Sequence, residues 1–388
     1  MIVPSEFDEI RPYNEEEVST QLKELIYDPQ FSRLLDGLVP WLPTCVRNAL
    51  LRLSFMGIHT TVAFQRRFMV PFVHYLTRHG SKGVTFDFRN IVRGRERYTF
   101  VSNHRDIVMD SAILDILLLD HRFATSCEIG IGDNLFVYPW IRRFVRLNKS
   151  FTVRRGLGPR ELQKSSHLMS RYMHFAVNGK RENIWIAQRE GRSKDSSDCT
   201  QVAVLKMLAM GYEGTAPEGL MDMHIVPLAI SYEYDPTDYL KAQEFQQKRD
   251  NPDFHKSKQD DLDNMRIGMY GWHGRIHYEA APCIDSWISS LPQMPRNDFF
   301  AEVARHINEE IYRRYRLYPC NFIALDELRD SHTFANRYTA NEKKEFDAYL
   351  DRQLAKVTIA NPDMEFLRER MLTMYANPAI NQLKLKER

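Results

Sequence analysis

Tyr98-Thr99-Phe100-Val101-Ser102-Asn103-His104-Arg105-Asp106-Ile107-Val108-Met109-Asp110 holds the change of period that decides the fold. Tyr98 to Val101 is a run of β-branched and aromatic residues, the composition of a buried strand. From Ile107 to Leu119 apolar residues recur at helical spacing, so His104 falls where a strand ends and a helix begins. In an α/β protein such a junction faces the crevice where ligands bind. A histidine followed two and six residues later by carboxylates has the parts of a general base and its orienting group. Read structurally, the same residues are a histidine at a helix start with Asp106 as N-cap.

Working outward, Phe123 to Cys127, Phe151 to Val153, Asn183 to Ala187 and Ile225 to Ile230 read as further short strands. A helix opened by Pro159 runs through Leu162, Leu168 and Met173 toward Asn178-Gly179. Strand, polar loop, helix, strand is the rhythm of an α/β fold. The expected architecture is a central mixed or mostly parallel sheet with helical layers, plus N- and C-terminal helical extensions. Residues 1–90 read as a helical amino-terminal region, in which Asn14 caps a Glu-rich helix leading to Ile26. Residues 91–290 read as the α/β domain with a charged, helical insertion at 232–274, and 291–388 as a carboxy-terminal helical extension. Arg275 to Tyr278 returns to strand character; Asn297–Arg314, Lys343–Leu354 and Met364–Tyr375 are helical.

The charge balance, 53 basic against 51 acidic residues, argues against nucleic acid as an obligatory partner. Five scattered cysteines without paired metal spacing point to free thiols in a reducing compartment. No cationic-then-apolar leader and no run of eighteen uncharged apolar residues occurs, so the expectation is a cytoplasmic protein, at most peripheral to a membrane. Between Phe31 and Leu76 aromatics and leucines are mixed with Arg47, Arg52, Arg66 and Arg67. Helices of this kind cover a core or lie at an anionic membrane surface, and the two roles are compatible. A basic cluster from Arg142 to Lys149 is expected to join them at that surface.

The loops at strand ends share a chemistry. Arg154, Arg155, Arg189, Arg192 and Lys194, with Lys206 placed nearby, supply donors suited to a phosphate, although a surface arginine is more often merely solvated. His273 and His277 face the same way on a strand but bring no third ligand, so no metal site is expected.

Four blocks in order resemble the glycerolipid acyltransferase family, which includes the lysophosphatidate and glycerol-3-phosphate acyltransferases. Asn103-His104 with a following aspartate resembles the catalytic block, in which the family places His, four residues, then Asp; here five residues precede Asp110. Phe151-Thr152-Val153-Arg154 is similar to the second block, which ends in a phosphate-binding arginine. Glu190-Gly191-Arg192-Ser193 resembles the third block, one residue short; an equally fair alignment puts Arg189 at the family's glutamate position. Val226-Pro227 matches the fourth, on the acyl-chain side. The His-Arg-Asp string is also shared with the protein-kinase catalytic loop, but no Gly-rich phosphate loop precedes it and no Asp-Phe-Gly follows.

The resemblance implies an acyltransferase that moves a fatty acyl group from acyl-CoA or acyl-ACP to the free hydroxyl of 1-acyl-glycerol-3-phosphate, giving phosphatidate. It implies no bound cofactor, no metal and no acyl-enzyme. His104 is then the base, oriented by Asp110 or Asp106, with Glu190 in the catalytic set. Arg154, Arg155, Arg189 and Arg192 bind the acceptor phosphate, and Gly191, Ser193 and Pro227 lie on the acyl-donor side. The implied partners are a glycerolipid acceptor, an anionic membrane surface at the inner face of the cell membrane, and acyl carrier protein. Glycerol-3-phosphate or a lyso-aminolipid is an alternative acceptor. A catalytically silent membrane-surface scaffold is the rival from another class; a hydrolase is a weaker one, since no Gly-x-Ser-x-Gly elbow occurs.

Overall fold

The computed structural model describes residues 3–38, 41–92, 94 and 97–386. Val39, within the proposed membrane-facing stretch, lies outside them. Seven strands form one sheet: β1 (Val84–Asp87), β2 (Thr99–Ser102), β3 (Cys127–Gly132), β4 (Ser150–Val153), β5 (Asn183–Ala187), β6 (Ile225–Tyr232) and β7 (Ile276–Ala280). Their spatial order is β1-β7-β6-β2-β5-β3-β4. All neighbours are parallel except β6 and β7. The mostly parallel sheet with helical layers is therefore as the sequence predicts. Strands β6, β2, β5, β3 and β4 consequently end along one edge.

β2 is buried throughout, and the helix that follows it, Met109–Asp120, is buried from Met109 to Leu119. A helix apolar on all sides belongs inside a core. Its Ile113, Leu114, Leu117 and Leu118, with Phe100 of β2, share a core with Trp185, Val226 and Tyr278 on one side of the sheet. Buried Asp115 stays inside this helix because the backbone N–H of Cys127 and the Gln65 amide donate to it; burial still pushes its carboxyl up to about 7.

Three expectations need correction. The strand placed at Phe123 to Cys127 begins instead at Cys127 and runs to Gly132. The Thr125 and Ser126 side chains, rather than joining a ladder, accept from buried Lys149 at 2.7 and 3.2 Å. Gly130 and Gly132 disguise the true strand because a side chain there would collide with Phe151 and Arg155. Second, the region 1–90 contains β1, which pairs with β7, and the Ile10 carbonyl accepts from Thr152 N–H on the outer edge of β4. Third, the tail beyond 290 is two things. Helix Arg296–Arg313 packs Phe299, Phe300, Val303 and Ile307 into the core on the other side of the sheet. Residues 318–379 build a separate core that includes Tyr239 and Ala242 of the insertion. Insertion and tail are thus one body.

No helix among the described residues is long and apolar enough to cross a membrane. Helix Thr44–Phe55 nevertheless turns Val46, Leu50 and Leu53 outward at i, i+4, i+7 spacing, flanked by exposed Trp41 and Met56. Arg52, Arg66 and Arg67 are exposed beside it, but Arg47 is buried against Asp36 and Ser32. The basic cluster is likewise partly internal. Arg146 lies over the Tyr13 ring and donates to the Arg11 carbonyl, and Lys149 pairs with Glu182 inside the protein.

Candidate active site

The loop 103–110 is held from both ends. Asn103, one residue past β2, exchanges two hydrogen bonds with the Ile230 backbone, at 2.9 Å to its carbonyl and 2.8 Å from its N–H. A side-chain amide so paired extends the β2–β6 ladder by one rung and fixes where His104 leaves the sheet. At the far end the Asp106 carboxylate accepts from the N–H groups of Val108 (2.9 Å) and Met109 (2.8 Å) and closes the helix entrance. Between these anchors His104 Nδ1 lies 2.8 Å from Asp110 Oδ2. The same oxygen accepts from the N–H groups of Arg105 (2.6 Å) and Asp106 (3.1 Å). Asp110 is fully buried, whereas His104 keeps a partly exposed edge. The Trp185 ring of β5 meets the imidazole edge-on at 5.4 Å and is fixed by its N–H to Ser102 Oγ.

Two aspartates with two geometries follow. Asp110 touches the imidazole; Asp106 touches backbone. The extra residue between His104 and Asp110 is taken up by the turn, in which Arg105 and Asp106 N–H groups point inward at Asp110. With Nδ1–H donating to Asp110, Nε2 is the basic nitrogen on the open side, the tautomer a general base needs.

The neighbouring strand ends bring the other residues to the same edge. β5 delivers Arg189 and Glu190, β3 delivers Asp133, and β4 delivers Arg154 and Arg155. The β4 end stands three strand spacings from β2, about 14 Å at ~4.8 Å each. Arg155 reaches back over β3, its N–H bonded to Asp133 Oδ1 and its guanidinium against Glu190. Arg154 turns the other way, to Glu9 of the amino-terminal segment. Both pairs are solvent-exposed, of a kind worth about 0–1 kcal/mol, so either guanidinium can leave its carboxylate at little cost. The Arg189 Nε is buried and has no hydrogen-bond partner among the described residues.

Arg192 is placed differently from the others. Thr237 Oγ1 (3.3 Å) and Asn264 Oδ1 (3.1 Å) of the insertion hold its guanidinium. Gly191, with φ +67°, makes the turn that Gly adopts without strain, and buried Ser193 bonds Asp195. Lys194 meets Glu244, also reached by Lys256 at 2.6 Å and Lys248 at 3.0 Å. Burial, partly offset by Glu244, brings the Lys194 amine down to about 8. Lys206 sits apart on helix Val202–Met210, bonded to Asn297. Pro227 is level with Val101 inside the sheet. Its carbonyl accepts from Ala281 just past β7, where the antiparallel ladder ends and a missing N–H costs least. His277 bonds Thr85 on β1, and the His273 ring packs against Tyr232.

Behind the loop lies a buried ionic layer that no motif announces. Arg105 pairs with Asp198 through both nitrogens, Tyr315 donates to Asp198, and Lys241 donates to the Arg105 carbonyl while paired with Asp235. Gly268, on helix Lys258–Tyr270 of the insertion, packs so closely that a methyl group there would stand 2.0 Å from Asp106 Oδ2. The spacing of these residues in sequence, 93 positions for Arg105 to Asp198, hides them; the glycine at 268 inside a helical pattern is the one local sign.

A histidine oriented by a buried carboxylate, at the carboxyl edge of a mostly parallel sheet, supplies the parts of a general base beside strand ends that carry arginines suited to an anion. Residues 83–231 match the family model described as Acyltransferase. The matched segment contains all four blocks, so it supports their resemblance, and over it the chain is similar to acyltransferase enzymes. Among solved structures, the 1-acyl-sn-glycerophosphate (LPA) acyltransferase PlsC from Thermotoga maritima is similar at 12% identity and a TM-score of 0.39, covering 76% of this chain and 97% of that one. No curated protein matches the chain.

Proposed function

We propose that the protein transfers a fatty acyl group from an acyl-CoA or acyl-ACP thioester to the free hydroxyl of 1-acyl-glycerol-3-phosphate, forming phosphatidate. The carrying observation is His104 Nδ1 at 2.8 Å from buried Asp110, with the imidazole itself partly exposed and Nε2 left as the nitrogen not engaged by that carboxylate. Nε2 takes the hydroxyl proton as the oxygen attacks the thioester carbonyl. Asp110 holds the tautomer and stabilises the imidazolium that forms. Charge develops on the carbonyl oxygen, the tetrahedral adduct collapses, and the proton passes from Nε2 to the departing thiolate. Arg154 and Arg155 exchange Glu9 and Glu190 for the acceptor phosphate and so place the hydroxyl. Incubation of the pure protein with labelled acyl thioester and a panel of acceptors tests this. Acceptor-dependent phosphatidate supports it. Product with glycerol-3-phosphate or a lyso-aminolipid alone moves the acceptor; free fatty acid alone makes the protein a hydrolase; no turnover makes it a scaffold.

Arg154→Ala is expected to raise KM for the phosphorylated acceptor about tenfold or more, the scale of one lost charged hydrogen bond, and to leave KM for the thioester near its original value. Steady-state kinetics varying each substrate in turn measure it. Equal small effects on both would place Arg154 with solvated surface arginines.

The acceptor is a membrane lipid, and the outward stripe Val46, Leu50 and Leu53 with Trp41 and Met56 supports docking to an anionic bilayer at the inner face of the cell membrane. Exposed Arg52, Arg66 and Arg67 supply the electrostatic part. The full chain should float with anionic vesicles, less in high salt but still detectably. The Leu50→Glu/Leu53→Glu variant should stay at the bottom of the gradient; an unchanged flotation profile would remove this helix from the contact.

A further inference from the structure

At the edge of the sheet opposite His104 the chain brings together a histidine, a cysteine and an aspartate that the acyl-transfer reading does not use. His224 immediately precedes β6, and Cys283 and Asp285 follow β7. One donor atom from each lies within 4.8 Å of the other two, and among the described residues this is the group of His, Cys, Asp and Glu that meets that condition. His224 lies six residues along its strand level from His104, about 20 Å at ~3.3 Å per residue.

We propose that His224, Cys283 and Asp285 bind a thiophilic divalent cation of the zinc class. Imidazole, thiolate and carboxylate are the three ligand types such an ion takes, and three protein ligands leave one position for water. Bond lengths of about 2.0–2.3 Å put tetrahedral ligands roughly 3.3–3.7 Å apart, so closing the group requires side-chain movement of about 1 Å. The backbone around it is already set. Thr99 N–H donates to the His224 carbonyl at 3.1 Å, Ile284 N–H to the Ile225 carbonyl at 3.0 Å, and Ala281 N–H to the Pro227 carbonyl at 2.8 Å.

Two observations separate the trio from an ordinary ion pair. Asp285 Oδ2 meets His224 Nδ1 at 2.6 Å, but Asp285 Oδ1 is buried with no hydrogen-bond partner among the described residues. A buried acceptor without a donor is what a cation satisfies. His224 also holds φ +45°, the left-handed region, which costs energy for a residue with a side chain and is found where surrounding structure or function demands it. Binding draws Cys283 in as the thiolate and releases its proton to water. With one ligand before β6 and two after β7, the ion clips together the one antiparallel pair of the sheet.

Protein stripped with chelator and freed of it is titrated with Zn²⁺ against a chromophoric indicator, and separately with Co²⁺ while the near-ultraviolet spectrum is followed. One equivalent should bind, with a thiolate-to-cobalt charge-transfer band, and Zn²⁺ should raise the melting temperature. Cys283→Ser should abolish the band. Cys283→Ser and His224→Asn, the latter chosen because Asn tolerates the left-handed conformation, should each weaken Zn²⁺ at least tenfold. Wild-type protein without the band, or variants that bind Zn²⁺ as tightly as wild type, would overturn the site. The wild-type spectrum decides even where a variant fails to fold, and neither readout depends on acyl transfer.

Discussion

Replacing His104 by alanine should lower turnover by at least about 10²-fold, the lower end of what a positioned base contributes, and leave the melting temperature nearly unchanged. The expected fall reflects the proposed role of this imidazole as the acceptor of the hydroxyl proton. The fold survives for a specific reason. When the ring is removed, Asp110 Oδ2 still accepts from the N–H groups of Arg105 and Asp106, so no buried charge is stranded. The lost packing is one face of Trp185, whose indole remains tied to Ser102. Initial rates with saturating thioester and acceptor, beside a thermal melt, measure both effects. A folded variant with a near-normal rate would take His104 out of the mechanism.

The second large effect divides the two aspartates. Asp110→Asn keeps the shape but removes the charge facing the imidazolium, and turnover should fall by about 10²-fold or more. It also sets an amide N–H₂ where Asp110 Oδ1 now lies buried without a partner, so a stability loss of about 1–3 kcal/mol should accompany it. Asp106→Asn should retain most activity, because asparagine still accepts from Val108 and Met109 as a competent cap. Rates and denaturation midpoints for the two variants, purified in parallel, decide between them. Severe loss in Asp106→Asn with a mild one in Asp110→Asn would exchange their roles.

What could be read from the sequence was local. The strand at Asn183–Ala187, the helix Met109–Asp120 and the capped helix after Asn14 rest on periodicity and caps spanning a few residues, and the structure places them where those signals lie. The strand Cys127–Gly132 was hidden by its own glycines, which serve Phe151 and Arg155 rather than β propensity. Arg47, Arg146 and Lys149 look like surface charge in sequence because nothing nearby reveals Asp36, Tyr13 or Glu182 as partners. The ionic layer of Arg105, Asp198, Lys241 and Asp235 could not be seen for the same reason: Arg105 meets Asp198 across 93 positions and Lys241 across 136.

That layer binds the fate of the loop to the far end of the chain. Arg105 and Asp106, flanked by His104 and Asp110, are braced from behind by Lys241, Gly268 and Asp198, and the Asp235 N–H in turn donates to the Tyr375 hydroxyl. Helix Met364–Lys384 contributes to a core shared with the insertion, not to the sheet. Loosening of that helix would withdraw Tyr375 from Asp235 and loosen the Lys241–Asp235 pair, whose lysine holds the Arg105 carbonyl. The segment 83–231, which carries the residues of the proposed chemistry, therefore takes part of its support from residues outside it. The His104 loop thus leans on partners as far along the chain as Tyr375, 271 positions beyond the histidine itself.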